Sequence, residues 1–219
     1  TPIRQKFKEI LASGVLGQLV NADGLEQLAQ AHGAAYMRRF HRKSSNSGGL
    51  LNHKGSHDLD ILLWFVGHAH KVVKVSSFGG VNVLTPDKRP AERCRDCPTD
   101  IYTSCPYRAV PGYAFPIHHA EPLYHRDSER YGGDLCVYTD DKDIIDNQTV
   151  MLEWDSGVRG NYSLQMFQAH GGRRNRFLGE KGVAELDDLE LSAHGERSGV
   201  IHVTLSDSGD TAEYRFPKR

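Results

Sequence analysis

Three hairpin patterns in the second half of the chain restrict its fold more than any other feature. Residues 147–167, 174–188 and 201–216 each read as two short strands joined by a bend, at Ser156-Gly157, Lys181-Gly182 and Ser208-Gly209. Such patterns are typical of half-buried strands joined by tight turns. They predict a large open sheet that is mostly antiparallel or mixed.

The first part of the chain has a different pattern, with apolar residues at helical spacing. We predict two helices, one beginning at Ile3 and ending before Gly14 and one from near His53 to Gly67, and two strands, over 15–20 and 71–84. A chain with its helices in the first half and most of its strands in the second is typical of an α+β domain with helices on one face of a sheet. We therefore expect residues 1–219 to form a single domain of this class.

Composition limits the possible partners. The 219 residues include 28 acidic and 27 basic side chains and are 38% hydrophobic. The chain is therefore long enough for one well-buried domain, and its charge favours neither nucleic acid nor a membrane surface. No stretch approaches the roughly 18 apolar residues of a membrane helix, and no secretory signal opens the sequence. We expect a cytoplasmic protein; export of a longer parent protein is the alternative.

Ionisable residues are concentrated in the segment His53-Lys54-Gly55-Ser56-His57-Asp58-Leu59-Asp60. On a helix, the positions 53, 57, 60 and 64 share one stripe, which ends at Trp64. An imidazole beside carboxylates is suited to proton transfer near neutral pH. The alternatives are that the aspartates only favour the first helical turn and that His57 is a core histidine. The concentration of ionisable groups beside an apolar run favours a functional site.

The stretch GGLLNHKGSHDLDILLWFVG resembles the glucose-fructose oxidoreductase, inositol dehydrogenase and rhizopine-catabolism (Gfo/Idh/MocA) family. The C-terminal domain of that family has a glycine pair, a Lys-x-x-His-Asp-x-Asp segment and a helix ending in Trp. Residues 6–20, 146–164 and 173–186 resemble further elements of the same domain, in the same order. The resemblance therefore covers nearly the whole chain.

The resemblance implies a role for each residue that matches the family's motif. His57 matches the catalytic histidine, which exchanges a proton with the substrate hydroxyl while hydride passes to or from a nicotinamide. His53 would orient or relay, and Lys54 and Asp60 would line the site. The residues that match a substrate-facing stretch are Tyr36, Arg38, Arg39 and His41, for which a solvated basic edge is the alternative.

The implied function is that of the C-terminal domain of an NAD(P)-dependent oxidoreductase acting on a sugar, polyol or cyclitol hydroxyl. The family's N-terminal Rossmann domain has no counterpart, because neither Gly79-Gly80 nor Gly171-Gly172 forms a G-x-G-x-x-G turn before a helix. NAD or NADP is therefore expected to bind mainly to the missing domain, and this chain alone is expected to be inactive.

Two other classes of function remain as alternatives. One is a non-catalytic module on the same fold that binds a ligand or forms oligomers. A metal-dependent hydrolase built on some of the 12 histidines ranks last, because no carboxylate-rich metal signature accompanies them. For the oxidoreductase and for the binding module alike, we expect a homo-oligomer that forms through an exposed face of the sheet, since three hairpins need more cover than two or three short helices provide.

Three of the four cysteines, Cys94, Cys97 and Cys105, lie in an irregular segment predicted over 86–116. Their C-x2-C-x7-C spacing allows a tetrahedral zinc site. The candidates for a fourth ligand are His53, His118, His119 and Cys136. Reduced buried thiols and a single disulfide are the alternatives to metal.

Overall fold

The computed structural model describes residues 1–109, 133–189 and 198–217. The helices in these ranges are α1 Pro2–Ala12, α2 Gln30–Arg38, α3 Ser44–Ser47, α4 Ser56–Val66 and α5 Thr99–Ser104. The strands are β1 Leu19–Ala29, β2 Val72–Gly80, β3 Asn147–Trp154, β4 Arg159–Gln168, β5 Gly172–Gly179, β6 Gly182–Leu189, β7 Ser198–Leu205 and β8 Thr211–Pro217. Within the described ranges, no helix has the length and apolar character needed to cross a membrane.

All eight strands form one sheet in the order β2-β3-β4-β1-β5-β6-β7-β8. β1 runs parallel to β4, and every other neighbouring pair is antiparallel. The three predicted hairpins form as β3-β4, β5-β6 and β7-β8. The prediction of an α+β fold with a mostly antiparallel, mixed open sheet is thus confirmed. β1 lies in the interior of the sheet, so its inward side chains can reach residues from both halves of the chain.

The helices cover one face of this sheet and bury the core there. The rings of Phe7 on α1, Phe65 on α4 and Phe177 on β5 contact one another edge to face, with centroids 4.9 to 5.7 Å apart. α2 packs against β4 through Gly33, where a Cβ atom would fall 1.7 Å from the carbonyl oxygen of Met166. Only glycine permits this approach of helix and strand.

The opposite face of the sheet is largely polar. Ion pairs cross it between neighbouring strands, such as Arg174 with Asp187 at 2.6 Å and Arg176 with Glu185 at 3.3 Å. At the β2 edge of the sheet, four large apolar side chains are exposed to solvent on the two faces, led by Phe78 at 68% exposure. The others are Val73, Val75 and Met151.

The first predicted strand is displaced in the structure. The strand expected over 15–20 begins only at Leu19 and continues to Ala29. Gly14 and Gly17 have φ of 74° and 70° and hold the preceding residues in a turn. α2 follows this strand directly and was not predicted. Of the irregular segment expected over 86–116, the described part contains short turns and α5.

Candidate functional site

The ionisable segment lies where a turn of π-helix, Leu51–Gly55, passes into α4. Gly48 and Gly49 precede this turn with φ of 73° and 88°, values that favour glycine. The helix predicted from near His53 is therefore split: His53 belongs to the π-turn, and His57 to the first turn of α4. Such π-turns within helices occur frequently at functional sites.

A buried ionic network lies beneath the π-turn and joins it to the sheet. Arg173 on β5 donates to Oε1 of Glu26 on β1 at 2.7 Å and also forms a bidentate pair with Asp58 on α4. Lys54 Nζ lies 3.0 Å from the same Glu26 oxygen. Glu26 and Asp58 are 2% and 7% exposed. Two buried carboxylates are thus balanced by two cations, as burial of charge requires.

Tyr162 on β4 completes the network. Its hydroxyl lies 3.4 Å from Oδ2 of Asp58 and 3.5 Å from Oε2 of Glu26. Burial, followed by the hydrogen bond and charge of Asp58, raises the pKa of Glu26 to about 7, against the opposing charges of Arg173 and Lys54. Burial also raises the pKa of Tyr162, so its hydroxyl remains a donor. Glu26 can therefore exchange a proton near neutral pH.

An aromatic cluster lies at the outer side of the π-turn. The Tyr36 hydroxyl and Nδ1 of His53 are hydrogen-bonded at 2.5 Å. His41 stacks on the Tyr36 ring with centroids 4.6 Å apart and meets the His53 ring edge to face at 4.7 Å. The structure thus brings together three of the predicted residues, Tyr36, His41 and His53.

Burial sets the protonation of this cluster. It raises the pKa of Tyr36 to about 12, so the phenol keeps its proton near neutral pH and can donate it to the hydrogen bond with His53. Burial, followed by the charges of His53 and Arg39, lowers the pKa of His41 to about 4. His41 is therefore neutral at pH 7, and its buried Nδ1 has no hydrogen-bond partner among the described residues.

His57 and Asp60 lie on the solvent side of α4, where both are exposed. Neither side chain has a hydrogen bond, ion pair or ring contact within the described part of the chain. Trp64, the last member of the predicted stripe, is half-buried and stacks on Phe65 with centroids 5.3 Å apart. The predicted stripe therefore does not form a contact group, and His57 is accessible to a substrate from solvent.

Arg38 and Arg39 are neighbours in sequence but have different surroundings. Arg38 is 8% exposed, and its guanidinium donates to the carbonyl oxygens of Leu135 at 2.9 Å and Tyr107 at 2.5 Å. The expectation that Arg38 approaches a substrate is therefore wrong. Arg39 lies close enough to His41 for its charge to lower the pKa of that imidazole.

Glu26, Tyr162 and Arg173 belong to the site, and sequence analysis missed all three. Glu26 lies in a stretch that mixes polar and apolar residues, and Arg173 follows the pair Gly171-Gly172. Neither residue was therefore recognised from the sequence as part of a site. The available signal was an acidic residue at an inward position of a strand: Glu26 alternates with the buried residues Ala22 and Leu28. A charge at such a position requires a partner.

All four cysteines line one cavity of about 320 Å³. They are free thiols, so the disulfide alternative is not formed. Among the described residues, no group of three or more His, Cys, Asp or Glu side chains is arranged to hold a metal ion, and zinc stays a prediction. Of the candidates for a fourth ligand, Cys136 lines the cavity and His53 is bonded to Tyr36. His118 and His119 lie outside the described residues.

Most of the chain matches one known family. Residues 8–210 match the model of an oxidoreductase family, C-terminal alpha/beta domain. A protein of Bacillus subtilis named YteT, assigned by name only to the oxidoreductases, is 28% identical over 200 residues; the match covers 86% of this chain and 46% of that protein. The chain thus spans about half the length of this relative.

Solved structures share the fold at low sequence identity. The 3-ketoreductase KijD10 from Actinomadura kijaniata, in complex with NADP and TDP-benzene, has a TM-score of 0.56 at 13% identity, over 100% of this chain and 47% of its own. A levoglucosan dehydrogenase, in complex with NADH and levoglucosan, has a TM-score of 0.53 at 12% identity, over 97% and 43%. An NAD binding oxidoreductase from Klebsiella pneumoniae has a TM-score of 0.58 at 15% identity, over 99% and 44%.

Proposed function

Because the chain belongs to the Gfo/Idh/MocA oxidoreductase family, as its C-terminal alpha/beta domain, we propose that it is the substrate-binding half of an NAD(P)-dependent oxidoreductase. The substrate is a sugar, polyol or cyclitol that reacts at a hydroxyl group. One observation carries the proposal: the exposed His57 stands on a helix whose inner side is fixed by the buried pair of Asp58 and Arg173. An imidazole that is open to solvent and carried by a fixed helix is suited to proton transfer.

The residues of this chain bind the substrate and move its proton. His57 exchanges a proton with the reacting hydroxyl, and Asp60, one turn further along α4, orients the imidazole or the substrate. Lys54, held by Glu26 at 3.0 Å, places a fixed positive charge beside the site. NAD or NADP, bound mainly by the nucleotide-binding part of the full-length protein, accepts or supplies the hydride.

The aromatic cluster supplies a second set of contacts. His53 shares a hydrogen bond with Tyr36 at Nδ1, which leaves Nε2 for a hydrogen bond with a substrate. Nδ1 of His41, which has no hydrogen-bond partner among the described residues, adds hydrogen-bonding capacity close by, and Arg39 places a positive charge near it. Several closely spaced donors and acceptors suit a polyhydroxylated substrate better than an apolar one.

Two structural neighbours support the cofactor and the substrate class. KijD10 was solved with NADP and TDP-benzene, and the levoglucosan dehydrogenase with NADH and levoglucosan. Both are oxidoreductases that contain a domain with the fold of this chain.

The experiment is an assay of the full-length protein for reduction of NAD and NADP with a panel of sugars, polyols and cyclitols. Turnover of at least one of these compounds, with His68→Ala active and His57→Ala inactive, supports the proposal. His68 is a matched control, since it is also exposed and follows α4. If the same compounds bind but are not turned over, the chain is a non-catalytic binding module.

The full-length protein is also proposed to be a homo-oligomer that uses the β2-β3 part of the sheet. Phe78, Val75 and Val73 leave 68%, 63% and 55% of their surface exposed, and a second copy of the chain would cover this edge. Light scattering should report a dimer or larger species that Phe78→Glu weakens. Val15→Glu, at an exposed apolar residue away from this edge, serves as the control. A monomer at micromolar concentration contradicts the proposal.

A further inference from the structure

The cysteine cavity contains one more thiol than the cluster of three seen in the sequence. Residues 106–135 separate Cys136 from Cys105 in the sequence, yet Cys136 lines the same cavity as Cys94, Cys97 and Cys105. Since a thiol is a reactive group and a metal ligand as well as a small apolar group, four cysteines from two separate segments around one cavity make a shared ligand a hypothesis to test.

Backbone hydrogen bonds place the first and last cysteines on the same side of a short two-stranded pair. Arg93 and Leu135 form an isolated antiparallel bridge. The amide of Cys94 donates to Asp134 at 2.7 Å, and the amide of Cys136 donates to Glu92 at 3.0 Å. Since both cysteines follow the bridged residues by one position, their side chains leave the pair on the same face.

The other two cysteines are brought back to this face by local turns. The amide of Cys97 donates to the carbonyl oxygen of Cys94 at 3.3 Å, which closes the C-x2-C segment into a tight turn. Cys105 ends α5, and its amide donates to Ile101 at 3.0 Å. A two-residue spacing in a tight turn lets a pair of thiolates share one metal ion.

A buried cation stands beside the thiols. The Arg38 guanidinium donates to the carbonyl oxygens of Leu135, next to Cys136, and of Tyr107, two residues after Cys105; its Nη2 lies 4.0 Å from Sγ of Cys94. In the described part of the chain no carboxylate forms an ion pair with it. The amide of Ala109 also donates to Sγ of Cys94, at 3.5 Å. A buried guanidinium and an N–H donor aimed at one sulfur suit a thiolate better than a thiol.

We propose that Cys94, Cys97, Cys105 and Cys136 bind one structural zinc ion, with Arg38 offsetting part of the charge of the four thiolates. One Zn²⁺ and four thiolates carry two net negative charges, and Arg38 supplies one positive charge nearby. The thiols line the cavity without being arranged to hold the ion, so binding moves them inward, while the bridge between Arg93 and Leu135 already holds the two segments together. This site lies apart from the His57 site and does not depend on the proposed function.

The experiment measures metal in the chain purified without a polyhistidine tag from zinc-supplemented medium. Elemental analysis is expected to find about one zinc per chain. Replacement of the zinc by Co²⁺ is expected to give the intense visible absorption of a tetrahedral tetrathiolate site. Cys136→Ser and Cys97→Ser are expected to lose the zinc, while Ser104→Ala, at another residue lining the same cavity, retains it.

Three results would overturn the proposal. The first is folded wild-type protein that contains no zinc and whose four thiols all react at once with a thiol reagent. The second is iron in place of zinc. The third is Cys136→Ser with the full metal content and an unchanged Co²⁺ spectrum, which would remove Cys136 as a ligand. If the serine variants do not fold, the Co²⁺ spectrum and thiol reactivity of the wild-type chain still decide the question.

Discussion

Lys54 Nζ lies 3.0 Å from Oε1 of Glu26, which is 2% exposed. This ion pair joins the accessible site at the start of α4 to the interior of the sheet. Arg173 extends the connection, because it bonds to Glu26 and to Asp58 on the inner side of α4. The orientation of the helix that carries His57 therefore depends on charges buried beneath it.

Arg173→Met is expected to destabilise the fold strongly. It leaves Asp58 and Glu26 with Lys54 as their only close cation among the described residues, and removing one partner of a buried ionic group costs about 3 kcal/mol or more. The matched control is Arg174→Met, since Arg174 is half exposed and pairs with Asp187 on the open face. Its loss is expected to cost less than about 1 kcal/mol. Chemical denaturation gives both values, and equal losses would contradict the importance of the buried network.

The raised pKa of Glu26 predicts a loss of stability as the pH rises. The pKa is about 7 in the folded protein and 4.5 in its ordinary state, so the folded protein holds this proton more tightly than the unfolded chain does. The contribution of Glu26 to the free energy of unfolding is fully present below about pH 4.5 and is lost as the pH rises through about 7.

Glu26→Gln tests this dependence, since it keeps the shape of the side chain and removes its ionisation. The fall in unfolding free energy between about pH 5 and about pH 8 is expected to shrink by roughly 1 to 3 kcal/mol in the variant. Glu153→Gln, at a residue that pairs with Lys74 on β2, is the control and should leave the fall unchanged. An unchanged fall in Glu26→Gln would show that another group titrates.

The sheet could be predicted from the sequence because its signals are local. In each hairpin, a glycine and the polar residue before it form the turn between two short strand segments. These residues are neighbours in sequence, so the pattern can be recognised without knowledge of distant residues. β1 was harder to predict, since Gly24 and Glu26 occupy inward positions where an apolar residue is expected.

The ionic network could not be predicted, because it depends on strand register. Glu26 and Arg173 are 147 residues apart and meet only because β1 pairs with β5 at these two positions. The π-turn could not be predicted either, since the spacing of its apolar residues is also compatible with an α-helix. By contrast, the family resemblance assigned His53 to the catalytic segment and Tyr36 and His41 to a substrate-facing stretch, although it did not predict the contacts among them.

The isolated chain is expected to show no saturable binding of NAD(H) or NADP(H). Tight binding of a dinucleotide requires a glycine-rich turn at the N-terminus of a helix, whereas Gly79 and Gly80 end β2 and Gly172 begins β5. Calorimetric titration of the chain checks this, with the full-length protein as the positive control. Micromolar affinity of the isolated chain for either cofactor would contradict the expectation.

In the full-length enzyme, His57→Ala is expected to lower turnover far more than substrate affinity. A proton must leave or reach the substrate hydroxyl as hydride moves, and positioned acid-base catalysis contributes on the order of 100- to 10,000-fold in rate. Because His57 is exposed and makes no bond within the described part of the chain, its removal should leave the thermal stability nearly unchanged.

Asp60→Asn should reduce kcat less, since that carboxylate only orients the imidazole or the substrate. Arg39→Ala should act chiefly on KM. His68→Ala is the control for loss of an exposed histidine. Steady-state kinetics and thermal melting on the same preparations separate the roles, and a folded His57→Ala enzyme with near-normal kcat would remove the proton-transfer role assigned to His57.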